Sequence, residues 1–399
     1  MNRNVYKVLI AQFITAFADN AVLFTVISMV LKSGAMQSWY VPALQSSFLI
    51  AFVVLAPWVG PFADSRSKPS VLTYANIIKA IGASMLFFHF EPLIAYAIIG
   101  IGAAAYSPAK YGILPELVGE DALVNANGWL EGSTILAILS GTLVGAQVSE
   151  YSVQVAFLLV IGLYVLSAAV ALLIAKTPAV NASMGAPLSQ FKKMMTLLLS
   201  TPRARFSTLA VSLFWASASV LRVLLVAWAP VVLFITETSE IAQLTMFVAI
   251  GIAVGSVLAQ KFIPLAYLRR ARMAAFAMGC VIIALSFVDG VWLARVALFF
   301  TGVAGGMFVV PINAALQEIG HKTIGSGGAV GIQNFFENLA MLIASGAYAY
   351  VAGAGAAPVA TMLALGILVI VATVIVSWQL PPDTGIIKEA VPLKSDLAD

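Results

Sequence analysis

The sequence predicts an all-α membrane protein of about twelve transmembrane helices, arranged as two six-helix pseudo-symmetric halves. Three observations predict it. The 399 residues are 61% hydrophobic and only 10% charged, with a mean hydropathy of +1.01, where soluble domains carry roughly 25% charged residues. Apolar runs long enough to cross a bilayer, about 20 residues each, recur along the chain at roughly 5–31, 42–63, 70–90, 92–112, 124–147, 153–175, 206–235, 241–262, 268–288, 290–317, 325–352 and 357–379. Landmarks also repeat at a fixed offset: Pro108 and Pro311, Arg66 and Arg269, and Asp19 and Arg222 are each 203 residues apart (311 − 108, 269 − 66, 222 − 19), and Glu131 and Glu337 are 206 apart (337 − 131).

The first run is too long for a secretory leader, contains Asp19 and lacks a small-residue cleavage pattern, so it is expected to remain as a span. The longest interruption, 176–205, carries Pro178, Pro187 and Pro202 with Lys176, Lys192, Lys193, Arg203 and Arg205. It divides the chain into an N-terminal half (1–175), a cytoplasmic linker (176–205), a C-terminal half (206–380) and a cytoplasmic tail (381–399). Lys and Arg concentrate on the side that holds both termini, with little beyond Lys32 and Arg295 opposite, so both termini are expected in the cytoplasm. The net charge of +4 follows from that bias and does not call for a nucleic-acid partner. The single cysteine, Cys280, sits in an apolar run, which excludes an intrachain disulfide and a cysteine-based metal site.

Charges inside the spans are the candidate functional groups, because an ionised side chain at mid-bilayer costs ~2.5–3.5 kcal/mol even on insertion scales. Asp19, followed by Asn20, lies in the first span and Arg222 in the seventh, at equivalent places in the repeat. Parallel six-span repeats face each other across a central cavity, so these two are expected to meet there. A carboxylate suits an ammonium, and a guanidinium fork suits a phosphate. Lys110 follows Pro108 between Tyr106 and Tyr111, and on position alone it also fits a lysine snorkelling to the interface. Glu337 and Asn334 lie in Gln333-Asn334-Phe335-Phe336-Glu337-Asn338, whose (i, i+4) pairs form one polar face that must look at a cavity or another helix. Glu131, its repeat partner, and Lys79 in span 3 are expected to be structural charges. Phe13, Phe17, Trp215, Trp228, Phe335 and Phe336 lie near these groups in sequence and are candidates to line an apolar route, although ordinary packing explains any one of them.

The loop after span 2, Gly60-Pro-Phe-Ala-Asp64-Ser-Arg66-Ser-Lys68, resembles the signature of the major facilitator superfamily: a Gly, an Asp four residues on, then basic residues. Ser65 and Ser67 stand where the pattern has Arg and Gly. Asp64, Arg66 and Lys68 are read as a gating or structural charge cluster. Three further segments narrow the resemblance: AQFITAFADNAVLF (11–24); GIGAAAYSPAKYGILPEL (100–117) with ANGWLEGSTI (126–135); and SLFWASASVLRVLLVAWAP (212–230) with VGIQNFFENLAML (330–342). Together they resemble the bacterial lysophospholipid transporter family of that superfamily, over essentially the whole chain.

The resemblance implies a flippase of the bacterial inner membrane. It would carry lysophosphatidylethanolamine and related lysolipids from the outer to the inner leaflet by alternating access, without a sodium or proton gradient. On the cytoplasmic side an acyltransferase/acyl carrier protein synthetase would reacylate them, completing phospholipid remodelling. The resemblance also places Lys110 among the charges important for transport. A monomer without cofactor is expected. His89 and His321 have no carboxylate at acyltransferase spacing, no phosphate loop or zinc motif occurs, and the Gly-rich run 325–331 lacks the strand and Lys of a nucleotide site, so an enzyme is not expected. The residues alone also admit a proton-coupled carrier of a drug, sugar or other metabolite, with Asp19 or Glu337 carrying the proton.

Overall fold

The computed structural model describes residues 3–33, 37–118, 120–176, 186–263, 265–323 and 326–379. The side chain of Glu131, residues 177–185 of the expected linker and the 381–399 tail lie outside the described residues. The described chain is helical and contains no strand. It runs α1 (Arg3–Lys32), α2 (Tyr40–Asp64), α3 (Lys68–Phe87), α4 (Pro92–Leu117), α5 (Glu120–Tyr151), α6 (Val153–Leu172), α7 (Pro187–Leu198), α8 (Pro202–Val232), α9 (Thr238–Phe262), α10 (Ala271–Leu285), α11 (Val291–Thr323), α12 (Ser326–Gly353) and α13 (Pro358–Ser377). Proline opens several of them, where its missing N–H is not needed. Ser152 and Thr201 cap α6 and α8 by accepting from the amides of Val155 and Ala204 (3.3 and 3.2 Å).

Among the described residues, eleven helices are long and apolar enough to cross a bilayer. The expected span at 268–288 is α10, which is shorter. Its fifteen residues rise only about 22 Å at 1.5 Å per residue. Arg269, Arg270 and Arg272 crowd its start, where a 3-10 turn (Leu265–Arg270) breaks at Tyr267 (φ −117°, ψ 46°). The expected linker is also not a plain loop. It holds α7, a twelve-residue helix that buries Phe191 and Leu198 and exposes Lys192 and Lys193. Its flanking prolines and basic residues disguise the two-turn spacing of the apolar pair.

The chain forms two compact units, Met1–Ser189 with Glu237–Ala242, and Gln190–Thr236 with Gln243–Asp399. In the first, α1 packs on α5 and α6, α3 on α4 and α6, and α2 on α4. In the second, α8 packs on α11, α12 and α13, and α10 on α11 and α13. Lipid offers no hydrophobic drive for helix association, so close packing of small residues supplies much of it. A Cβ at Gly141 or Gly145 of α5 would strike the α1 backbone at Phe17 and Ala21. Gly251 and Gly255 of α9 lie against the α11 backbone at Phe299 and Val303, and Gly302 and Gly306 of α11 against the α9 backbone at Val248 and Ile252.

Two helices end in Schellman turns. The Phe90 amide donates to the Met85 carbonyl (3.0 Å) around His89 at φ 61°, and the Ala356 amide donates to Val351 (3.2 Å) around Gly355 at φ 84°. His89 is thus a helix stop.

Candidate functional site

In the first unit Asp19 is the centre of a buried polar knot. Lys79 Nζ donates to Oδ1 (2.9 Å) and Oδ2 (2.8 Å) of Asp19, and Tyr164 Oη donates to Oδ1 (2.9 Å). The ammonium also lies 4.9 Å from the ring centre of Tyr106 and 5.7 Å from that of Tyr164, within cation–π range. α1, α3, α4 and α6 each contribute one member. One turn nearer the N-terminus of α1, Thr15 donates to Asn76 Oδ1 (3.0 Å), Asn76 Nδ2 donates to Ser167 (3.1 Å), and the Thr15 and Ser167 hydroxyls are 2.7 Å apart. Ser167 donates on to the Ala11 carbonyl (2.9 Å), and Gln12 Nε2 to Thr134 (3.0 Å). The amide of Asn20 donates one N–H back to the Ala16 carbonyl (2.8 Å), which leaves its second N–H and its acceptor oxygen to offer a ligand.

The sequence gives Asp19 a partner in the other half, Arg222. The partners recorded here belong to its own half, and Lys79, expected only as a structural charge, is the principal one. The side chain of Lys79 is 1% exposed and that of Asp19 26%.

A second cluster closes the end of the same unit. Lys68, itself buried, pairs with Glu116 of α4 (2.5 Å) and with Asp64 (3.4 Å), while Arg66 lies over the Phe62 ring at 4.2 Å. Glu116 thus ties α4 to the lysine of the signature loop. The Lys110 ammonium sits 4.2 Å above the Tyr111 ring.

In the second unit the polar face of α12 is assembled around Glu337. Gln333 Nε2 donates to Glu337 Oε1 (2.7 Å) and to Asn313 Oδ1 of α11 (2.5 Å), and Trp215 of α8 stands against the same carboxylate. Asn338 donates to the Asn334 carbonyl (2.7 Å). Among the described residues no salt bridge is recorded for Glu337. It is a buried acid held by neutral donors, whereas Asp19 is held by a cation.

The aromatic candidates divide. Trp228 is fully buried and packs as core of the second unit, which removes it from the residues that could line a lipid route. Phe335 stacks edge-on against Phe191 of α7 (5.2 Å) and Phe336 (5.4 Å). Trp215 is 41% exposed, and Phe13 and Phe17 are half-buried neighbours, 6.3 Å apart, along α1. Tyr164, Tyr106 and Asn313 were not singled out from sequence. The repeat could have found Asn313, which stands 203 residues after Lys110 (313 − 110), and the single tyrosine of α6 was the signal for Tyr164.

The two-unit helical architecture and its charged mid-span residues define a polytopic major facilitator. The pattern of the Major Facilitator Superfamily matches residues 8–345. The fold is shared with the nucleoside transporter NupG (TM-score 0.74, 13% identity, 94% of this chain and 98% of that one). It is also shared with a bacterial homolog of the human lysosomal transporter Spinster (TM-score 0.69, 14% identity, 96% and 99%). Much closer in sequence are the lysophospholipid transporter LplT of Photorhabdus laumondii, 40% identical over 92% of this chain and 93% of that protein, and that of Escherichia fergusonii, 39% identical over 95% and 96%. The chain belongs to the major facilitator superfamily and, within it, to the family of these lysophospholipid transporters.

Proposed function

We propose that this protein moves lysophosphatidylethanolamine and related lysophospholipids from the outer to the inner leaflet of the bacterial inner membrane. The observation that carries the reading is the likeness to lysophospholipid transporters at about 40% identity, which spans both halves rather than one motif. The transporter sits with both termini in the cytoplasm, an orientation supported by the positive-inside bias of its loops. It works as a monomer by alternating access of its two halves, performs no chemistry on the lipid, and delivers it to a cytoplasmic-side acyltransferase/acyl carrier protein synthetase. Asp19, Asn20 and Lys110 in the first half and Arg222, Asn334 and Glu337 in the second address the headgroup. Carboxylates suit its ammonium, and Arg222, whose fork can bond two oxygens at once, suits its phosphate. Trp215, Phe13, Phe17, Phe335 and Phe336 are the aromatics retained for the acyl chain. Asp64, Arg66 and Lys68 hold the cytoplasmic end.

The test is uptake of labelled lysophosphatidylethanolamine into spheroplasts with and without the gene, and with and without an uncoupler. Gene-dependent uptake that survives the uncoupler is expected. Uptake abolished directly by the uncoupler favours the proton-coupled alternative. In the same assay Arg222→Lys lowers uptake more than it lowers expression, and normal uptake by Arg222→Ala contradicts the role given to that residue.

A further inference from the structure

We propose that Lys79 is the positioning residue of Asp19, and that Gly102 exists to admit it. The proposal rests on the reading of Asp19 as a headgroup contact. Lys79 is shut away from any substrate, yet it fixes both oxygens of a carboxylate whose side chain stays partly accessible. A carboxylate offers about four acceptor sites. Lys79 takes one on each oxygen and Tyr164 a second on Oδ1, so the remaining site is on Oδ2. The knot therefore presents one oriented acceptor atom and carries no net charge.

Room for the lysine comes from the neighbouring helix. A Cβ on Gly102 of α4 would lie 2.6 Å from Lys79 Cγ and 2.6 Å from the Ala75 carbonyl. The device occurs twice on the same pair of helices: a Cβ on Gly112 would lie 2.7 Å from Cε of Lys68, the other buried lysine of α3. Each glycine stands where a lysine stem passes, so the two residues of each pair work as a unit. Gly102→Ala thus crowds the Lys79 stem together with the α3 backbone at Ala75 while leaving every charge in place.

The experiment measures KM and maximal rate for labelled lysophosphatidylethanolamine in spheroplasts, normalised to folded transporter, for Lys79→Met, Gly102→Ala, Asp19→Asn and Asp19→Asn/Lys79→Met. Lost orientation of a binding group appears in KM with the maximal rate little changed. Lys79→Met is expected to raise KM about tenfold and Gly102→Ala by a smaller factor, and Lys79→Met to add less than about twofold once Asp19→Asn is in place, as coupled neighbours require. If Lys79→Met fails to fold, Gly102→Ala and the charge-balanced double variant decide. A parental KM in Gly102→Ala and in folded Lys79→Met, beside a raised KM in Asp19→Asn, overturns the proposal alone. So does an undiminished Lys79→Met effect in the Asp19→Asn background. A parental KM in Asp19→Asn overturns the reading of Asp19 and the proposal together.

Discussion

The two halves join their helices by different means at one crossing. Advancing each position of the first half by 203 residues turns Thr15 into Ala218, Asn76 into Gly279, Lys79 into Ile282 and Tyr106 into Val309. Where α3 meets α6 in the first half, Asn76 and Ser167 are hydrogen-bonded. Where α10 meets α13 in the second, Gly279 and Gly366 let the two backbones touch: a Cβ on Gly366 would lie 2.8 Å from the Gly279 carbonyl. Polar bonds and close backbone approach are the two ways of joining helices that lipid leaves open, and each half has taken one at this crossing. The acids follow the same division. Asp19 is matched by a buried cation, and Glu337 by neutral donors.

Breaking each arrangement in turn sharpens the contrast, read as thermal stability of the purified protein in detergent. Lys79→Met strands the Asp19 carboxylate, and removing one partner of a buried pair costs about 3–5 kcal/mol. The value expected here is near the lower end of that range, because a quarter of Asp19 is exposed, and Asp19→Asn/Lys79→Met recovers most of it. Gly279→Val forces a branched side chain into Ile370 and the Gly366 backbone, an overpacking that costs about 1–3 kcal/mol. Asn76→Ala leaves Thr15 and Ser167 without their shared partner, for about 1–2 kcal/mol. Glu337→Gln keeps the shape and the Asn313–Gln333 bond, so it should cost under about 1 kcal/mol while lowering uptake. A Glu337→Gln protein as damaged as Lys79→Met would erase the distinction between the two acids.

Much of this was legible in the sequence. Span length and apolarity located the helices, and the 203-residue offset suggested two repeated halves with Asp19 and Arg222 at equivalent positions. What could not be read was who holds whom. Asp19 and Lys79 are 60 residues apart, on helices whose relative rotation no periodicity reports, and the Lys79 stem runs past Gly102, where a Cβ would lie 2.6 Å from its Cγ. Nor does the sequence show that Glu116 bonds Lys68 across the α3–α4 pair. α7 is hard to read because two buried residues in twelve make a faint pattern beside three prolines, and α10 reads too long because its arginines fall within the apolar run.

The central claim is that this protein flips single-tailed phospholipids. Purified transporter in liposomes, with labelled lysophosphatidylethanolamine in one leaflet and diacyl phosphatidylethanolamine as the competing substrate, tests it most directly. The account predicts rapid transfer of the lysolipid, lost in Arg222→Ala, with the diacyl lipid left behind. Equal transfer of both lipids, or no transfer of either by folded protein, contradicts it.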